Sequence, residues 1–155
     1  MPAGGHFICA YPAVSGYLSN CEWNTIAQRT EIADGAQLTS LSLILRKGTI
    51  VQIVADDPSG LVKPPPGFVG KVSGHYFFPS VKNVEGYFSS ARFTGDTGGQ
   101  HTYSVTIPKN VTVELFFDSD VSVADSAGSR VATRVPSGVA VKGGSDTVTV
   151  NVSLK

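Results

Sequence analysis

The stretch LTSLSLILRKGTIVQIVADDPSGLVKPPPG, from Leu38 to Gly67, decides how the fold of this chain is interpreted. It begins with two strongly apolar runs joined by Arg46-Lys47-Gly48-Thr49. Apolar runs of roughly four to eight residues between Gly and Pro are typical of strands that pack on a core. A short loop with a glycine between two such runs favours a hairpin. We therefore predict a central β-hairpin in the first half of the stretch.

The second half of the same stretch has the composition of an irregular loop. The turn from Asp56 to Gly60 is followed by three consecutive prolines, Pro64 to Pro66, which favour polyproline II. Functional residues often lie on loops that a rigid scaffold holds in place. This proline loop, residues 56–67, is therefore a candidate functional segment, although its sequence specifies no ligand.

The C-terminal third has the clearest alternation of apolar and polar residues. Every second residue is apolar in Tyr103–Ile107, Val111–Phe117 and Val148–Leu154, and Gly86–Phe93 also alternates. This pattern is typical of antiparallel strands with one solvated face. Strands at intervals of roughly 8–12 residues, with no clear helical pattern, favour a sandwich. The predicted fold is all-β, a two-layer antiparallel β-sandwich of Ig-like or transthyretin-like Greek-key type with little or no helix.

Length and charge limit the domain count and the classes of partner. The 155 residues suit a single β-sandwich domain, residues 1–155, with 1–36 as a less regular N-terminal segment. The 12 basic and 12 acidic residues cancel, so the chain lacks the basic surface that nucleic acid requires. No apolar run approaches the roughly 18 residues of a membrane span. We predict no nucleic-acid partner and no membrane span.

The N-terminus and the two cysteines bear on the compartment. The start MPAGGHFICAYP lacks the pattern of an export signal. Its abruptness and the low content of Lys favour an extracytoplasmic or secreted protein whose native signal peptide has been removed. Cys9 and Cys21 are either a disulfide of an exported protein or two buried thiols of a cytosolic one. They have no CxxC pattern and no clustered histidines, so they do not predict a zinc site.

The three histidines of the chain are isolated in the sequence. His6, His75 and His101 have no catalytic motif around them, and we expect ordinary surface or edge histidines. We therefore predict no enzymatic activity. The alternative is a small hydrolase whose site is assembled from scattered His and Asp residues.

A group of acidic residues near the C-terminal third offers oxygen ligands for a cation. Asp118, Asp120 and Asp125 are weak candidates for calcium ligands, although their spacing does not fit the helix–loop–helix calcium motif. The alternative is turn chemistry, because Asp accepts hydrogen bonds from its own backbone, and Asp125 to Gly128 has the composition of such a turn. We predict neither a metal nor a cofactor.

Aromatic side chains are the weak candidates for ligand binding. Trp23, Tyr76 and Tyr87 are the first choice, because an amphipathic ring binds the apolar face of a sugar while polar neighbours bind its hydroxyls. The alternative for most of these side chains is packing in the core. Three further tyrosines belong to the same wider set of aromatic candidates, namely Tyr11, Tyr17 and Tyr103.

Three pieces of the chain resemble the carboxypeptidase regulatory-like, or transthyretin-like, β-sandwich domains of bacterial exported proteins. They are Val51–Gly60, with its Asp-x-x-Gly turn, Gly99–Val105 and Val121–Gly128, within a resemblance that spans about residues 38–155. The resemblance implies a non-catalytic accessory or adhesion module. It specifies no ligand.

These observations together predict a non-catalytic structural or interaction module of an exported bacterial protein, with a protein or a glycan as its partner. The first alternative is a carbohydrate-binding module that uses exposed aromatics. The second alternative is the small hydrolase.

Overall fold

A computed structural model of the chain describes residues 3–23, 29–37, 39–62 and 75–155. Within these ranges it forms strands and turns and no helix, so no helix there is long and apolar enough to cross a membrane. The strands in chain order are β1 (Gly4–Phe7), β2 (Tyr17–Leu18), β3 (Arg29–Ile32), β4 (Arg46–Lys47), β5 (Thr49–Asp56), β6 (Phe77–Asn83), β7 (Phe88–Ser90), β8 (Arg92–Thr97), β9 (Gln100–Ile107), β10 (Thr112–Ser119), β11 (Val123–Asp125), β12 (Arg130–Val131), β13 (Pro136–Lys142) and β14 (Thr147–Leu154).

Two larger sheets pack together and enclose the core. One has six strands in the order β12-β11-β14-β5-β9-β8, and the other has four in the order β13-β10-β6-β7. The N-terminal part adds the two-stranded sheets β1-β3 and β2-β4. The pairing of β14 with β5 is parallel and every other strand pairing described is antiparallel, so the six-stranded sheet is mixed. The prediction of an all-β sandwich is confirmed.

The core forms because alternate residues of the central strands face inward. Val51 and Ile53 of β5 are fully buried, as are Leu115 and Phe117 of β10 in the opposite sheet. Phe77 of β6 stacks on Phe117 with ring centroids 5.5 Å apart. Burying a side chain of this size contributes about 1.5–3 kcal/mol to folding. The alternation seen in the sequence therefore locates the core on both sheets.

The predicted central hairpin is not formed. Residues 39–45 contain no strand, and the side chain of Ile44 is 83% exposed. The two residues of β4 pair with β2, while β5 pairs with β9 on one side and with β14 on the other. Because both edges of β5 are occupied, the first apolar run has no edge of β5 to pair with. Of the predicted proline loop, residues 63–67 lie outside the described ranges.

The single strand predicted over Gly86–Phe93 is divided between the two sheets. Strand β7 pairs with β6 in the four-stranded sheet, and β8 pairs with β9 in the six-stranded sheet. The chain crosses between them at Ala91, whose N–H donates to the carbonyl of Pro79 at 3.0 Å. Since β7 and β8 are edge strands, this crossing places both sheet edges on one side of the sandwich.

We expect Gly48→Ala to destabilise the fold, because Gly48 lies against the end of β9. A Cβ at this position would lie 2.5 Å from the carbonyl oxygen of Ile107 and 2.7 Å from Cγ2 of Thr106. Overpacking of this kind costs about 1–3 kcal/mol. Urea unfolding measures the loss, with Gly144→Ala as the control, since a Cβ at Gly144 would meet no heavy atom within 4 Å. Equal stability of the two variants would contradict the packing described for Gly48.

Candidate functional site

A cleft of about 340 Å³ lies between the N-terminal segment and the sheet edges joined at Ala91. Tyr11, Tyr17 and Phe88 line it, and all three are substantially exposed. One acidic and one basic side chain, Glu22 and Arg92, also line it. The remaining polar lining consists of hydroxyl side chains, namely Ser15, Ser89, Ser90, Ser104 and Thr106. The cleft therefore combines exposed rings with hydrogen-bonding groups.

The N-terminal wall of the cleft is tied internally by a disulfide and by one asparagine. Cys9 and Cys21 are joined, with their Cα atoms 5.4 Å apart. The side chain of Asn20 accepts a hydrogen bond from the N–H of Ala10 at 2.7 Å and donates one to the carbonyl of Ile8 at 2.8 Å. These contacts bring residues 8–10 and 20–21 together, so the intervening segment forms a closed loop.

The same wall is attached to the sandwich through Gly16. The N–H of Gly16 donates to Oγ1 of Thr106 in β9 at 3.1 Å, and its carbonyl accepts from the N–H of Gly48 at 2.8 Å. Tyr17 follows directly and pairs with Lys47 in the β2–β4 ladder. Because the wall is fixed at both points, the backbone that carries Tyr17 is held in place before any ligand arrives, which lowers the entropy cost of binding.

The three aromatic residues predicted for ligand binding do not line the cleft. Trp23 is only 8% exposed and belongs to the hydrophobic core, which is the packing given as the alternative for these side chains. Tyr87 is half-buried and packs against the core, and Tyr76 lies on the outer face of the four-stranded sheet. Trp23 is buried because a large apolar ring gains more free energy in the core than at the surface.

The sequence pointed to only some of the aromatic residues that line the cleft. Tyr11 and Tyr17 belong to the tyrosines named from the sequence, whereas Phe88 is not among the predicted binding residues. Phe88 is identified by its position beside the strand crossing at Ala91, because its exposed ring packs into the core from neither sheet.

The three weak candidates for calcium ligands take part in separate interactions. Asp118 lies 3.7 Å from Nε of Arg134, and Asp120 accepts the N–H of Tyr76 at 2.8 Å. Oδ1 of Asp125 accepts the N–H groups of residues 127 and 129, which is the turn chemistry given as the alternative. Among the described residues, no three His, Cys, Asp or Glu side chains are grouped so that they hold a metal ion.

His75 forms an exposed pair with Asp120. Its Nδ1 lies 3.1 Å from Oδ2 of Asp120. The hydrogen bond from the N–H of Tyr76 lowers the pKa of the Asp120 carboxyl, and the hydrogen bond with His75 lowers it further. The carboxylate thus orients the chain at the start of β6. His6, the third histidine, is half-buried in the two-stranded β1–β3 sheet.

His101 is buried, so its prediction as a surface or edge residue is wrong. Its Nε2 lies 3.1 Å from Oδ2 of Asp57, and both side chains are almost fully enclosed. Its Nδ1 lies 3.6 Å from Oδ1 of Asp96 and has no hydrogen-bond partner among the described residues. The carboxylate of Asp57 also accepts the N–H groups of Leu61 and Val62 at 2.9 and 2.8 Å. This pair therefore fastens the turn after β5 to the start of β9.

Two pKa shifts accompany the buried pair. Burial by itself raises the pKa of Asp57, but the hydrogen bonds from Val62, Leu61 and His101 outweigh it and leave the pKa below its usual value. Burial raises the pKa of Tyr103 to about 12, helped by the charges of Asp96 and Asp57. Asp57 is accordingly ionised in the folded state at neutral pH.

His75 and His101, two of the scattered histidines of the hydrolase alternative, belong to different pairs. His75 contacts Asp120 at the surface, whereas His101 contacts Asp57 in the interior. An enclosed pair has no contact with a substrate in solution, because a general base must lie within hydrogen-bond reach of the proton that it removes. Asp57 and His101 therefore hold the fold together.

Comparison with protein-family models, curated proteins and solved structures finds no match to this chain. The resemblance to carboxypeptidase regulatory-like domains stays a prediction.

Proposed function

We propose that this chain is a non-catalytic binding module of an exported bacterial protein, and that its cleft binds the sugar rings of a neutral glycan. The observation that carries the proposal is the cleft itself, in which the exposed rings of Tyr11, Tyr17 and Phe88 lie among serine and threonine hydroxyls. An aromatic ring covers the apolar face of a sugar, and hydroxyl and charged side chains bond its hydroxyl groups.

The charge of the cleft favours a neutral ligand. Glu22 and Arg92 are the charged side chains that line it, one of each sign. A site for a phosphate or a polyanion requires an excess of basic groups. The Cys9–Cys21 disulfide supports export, since disulfides persist mainly in oxidising compartments.

We expect Tyr17→Ala to weaken glycan binding by at least about tenfold, the usual cost of removing a central aromatic anchor. The protein is first tested by affinity electrophoresis on xyloglucan, mixed-linkage β-glucan, galactomannan, arabinoxylan and dextran. The variant is then compared on each polysaccharide that retards the wild type. Tyr17 is 41% exposed and lies outside the hydrophobic core cluster.

The matched control is Phe7→Ala, which removes another exposed ring from β1, outside the lining of the cleft. Thermal unfolding of both variants checks that they fold. If wild type binds none of the polysaccharides, or if Tyr17→Ala binds as tightly as Phe7→Ala does, the proposed function is wrong.

A further inference from the structure

A strip of aromatic side chains crosses the outer face of the four-stranded sheet. The ring of Tyr76 stacks on that of Phe78 with centroids 5.6 Å apart, and Phe88 contacts Phe116 edge-on at 6.4 Å. Ser80 alternates with Phe78 on this outer face, yet it is only 3% exposed. Its hydroxyl donates a hydrogen bond to the carbonyl of Phe116 at 3.2 Å. We call Tyr76, Phe78, Phe116 and Phe88 the aromatic strip.

The aromatic strip is continuous with the cleft because Phe88 belongs to both. Its ring lines the cleft and also contacts Phe116 on the outer face. Phe88 is 57% exposed and Phe78 is 43% exposed. A ligand that leaves the cleft beside Phe88 therefore meets further exposed rings on the same side of the molecule.

The far end of the aromatic strip is held rigidly. The N–H of Tyr76 donates to Asp120 at 2.8 Å, and its carbonyl accepts from the hydroxyl of Ser119 at 3.0 Å. The phenol oxygen of Tyr76 accepts a hydrogen bond from Arg134, whose guanidinium carbon lies 5.7 Å from the centre of the ring. Fixing both the backbone and the ring lowers the entropy cost of binding.

Charges beside the aromatic strip compensate one another. Arg134 lies 3.7 Å from Asp118, and Lys82 is directly opposite Glu114 in the register of β6 and β10. No single sign of charge dominates this face in the described part of the chain. Such a surface favours an uncharged ligand. A charged ligand would be repelled by a side chain of like charge next to every side chain of opposite charge that attracts it.

We propose that the cleft and the aromatic strip form one path, and that the ligand is an extended neutral polysaccharide chain, with its end or a short segment in the cleft. This inference rests on the proposed function. A short oligosaccharide occupies the cleft alone, whereas a long chain also covers Phe78 and Phe116. The contacts in the cleft and on the aromatic strip are made by one ligand. Once the cleft is occupied, the rest of the chain is present at a high effective concentration near the strip, which strengthens binding.

Phe78→Ala distinguishes the long ligand from the short one. We expect it to weaken binding of the polysaccharide by about tenfold and to leave unchanged the binding of the trisaccharide released from that polysaccharide. Isothermal titration calorimetry measures both, using the polysaccharide on which wild type is retarded. Phe78→Tyr keeps the ring and is expected to retain the affinity of wild type, and Phe7→Ala serves as the control outside both surfaces.

Each other outcome overturns a defined part of the account. If wild type binds the polysaccharide no better than the trisaccharide, or if Phe78→Ala leaves both affinities unchanged or weakens both equally, the extended path is wrong while the cleft stands. If no glycan binds wild type, the proposed function fails and the path with it. Loss of a dimer on Phe78→Ala, seen by sedimentation with polysaccharide affinity unchanged, would assign this face to a second copy of the chain instead.

Discussion

Replacing Asp57 by alanine is expected to lower the free energy of unfolding by about 3–5 kcal/mol, because the buried carboxylate accepts hydrogen bonds from three groups at once. Three groups lose their acceptor at once, since the carboxylate holds His101 and the N–H groups of Leu61 and Val62. Each unsatisfied buried donor costs about 1–3 kcal/mol. Water has little access to replace these bonds, because the Asp57 side chain is fully enclosed.

Urea unfolding at neutral pH measures this loss. Asp56→Ala is the matched control, because Asp56 is the exposed neighbour at the end of β5 and should change stability by no more than about 0.5 kcal/mol. Asp57→Asn keeps an acceptor oxygen for part of the network and should lie between the control and Asp57→Ala. A loss below about 1 kcal/mol for Asp57→Ala would show that the pair does not fasten the turn to the sheet.

The same pair has a consequence for acid stability. The pKa of Asp57 is lower in the folded than in the unfolded chain, so the folded state holds fewer protons in the acidic range. Its contribution is therefore fully present above the unfolded-state pKa, near 3.8, and is lost as the pH falls through the folded-state value. Asp57→Ala should lack this part of the acid dependence, and an unchanged dependence would contradict the assignment.

Removing the disulfide by Cys9→Ser with Cys21→Ser is expected to lower the free energy of unfolding by about 3 kcal/mol, the chain-entropy value for a loop of this length. The cysteines are separated by 12 positions, and the loop that they close carries the N-terminal wall of the cleft. Loss of the tie should also weaken glycan binding, because the segment that carries Tyr11 is then held at its start only by the side chain of Asn20.

Thermal unfolding and calorimetric titration measure the two effects separately. Wild type treated with a reductant is the matched comparison. Its stability and glycan affinity should equal those of the double variant and fall below those of the untreated protein. The hydrogen bonds of Asn20 and Gly16 are retained in both samples. The glycan affinity that remains therefore measures how well these hydrogen bonds hold the wall without the disulfide. If the double variant matches wild type in stability and in affinity, the disulfide does not shape the cleft.

The alternation of residues in the strands was enough to predict the sandwich and most of its core. The same alternation also includes the two residues of the buried pair. After Val51, Ile53 and Ala55, the next inward-facing position is Asp57, and the inward-facing position before Tyr103 is His101. The buried pair was therefore implicit in the pattern. It was missed because polar residues at strand ends are usually assigned to turns.

Features that depend on contacts distant in sequence were not predictable in this way. The apolar run at 39–45 has the composition of a strand, but both edges of β5 are taken by β9 and β14. The cleft joins Tyr11 to Phe88, and only the strand crossing at Ala91 brings them to one side. Local patterns contain no information about which distant edges meet.

The account as a whole is tested most directly by NMR chemical-shift mapping of the protein with a soluble oligosaccharide from the polysaccharide that it binds. The account predicts the largest amide shifts at residues 11–17, at 88–92 and in β9 near Ser104, with little change around the buried His101. Shifts confined to another face of the sandwich, or no shifts with any of the neutral glycans, would contradict it.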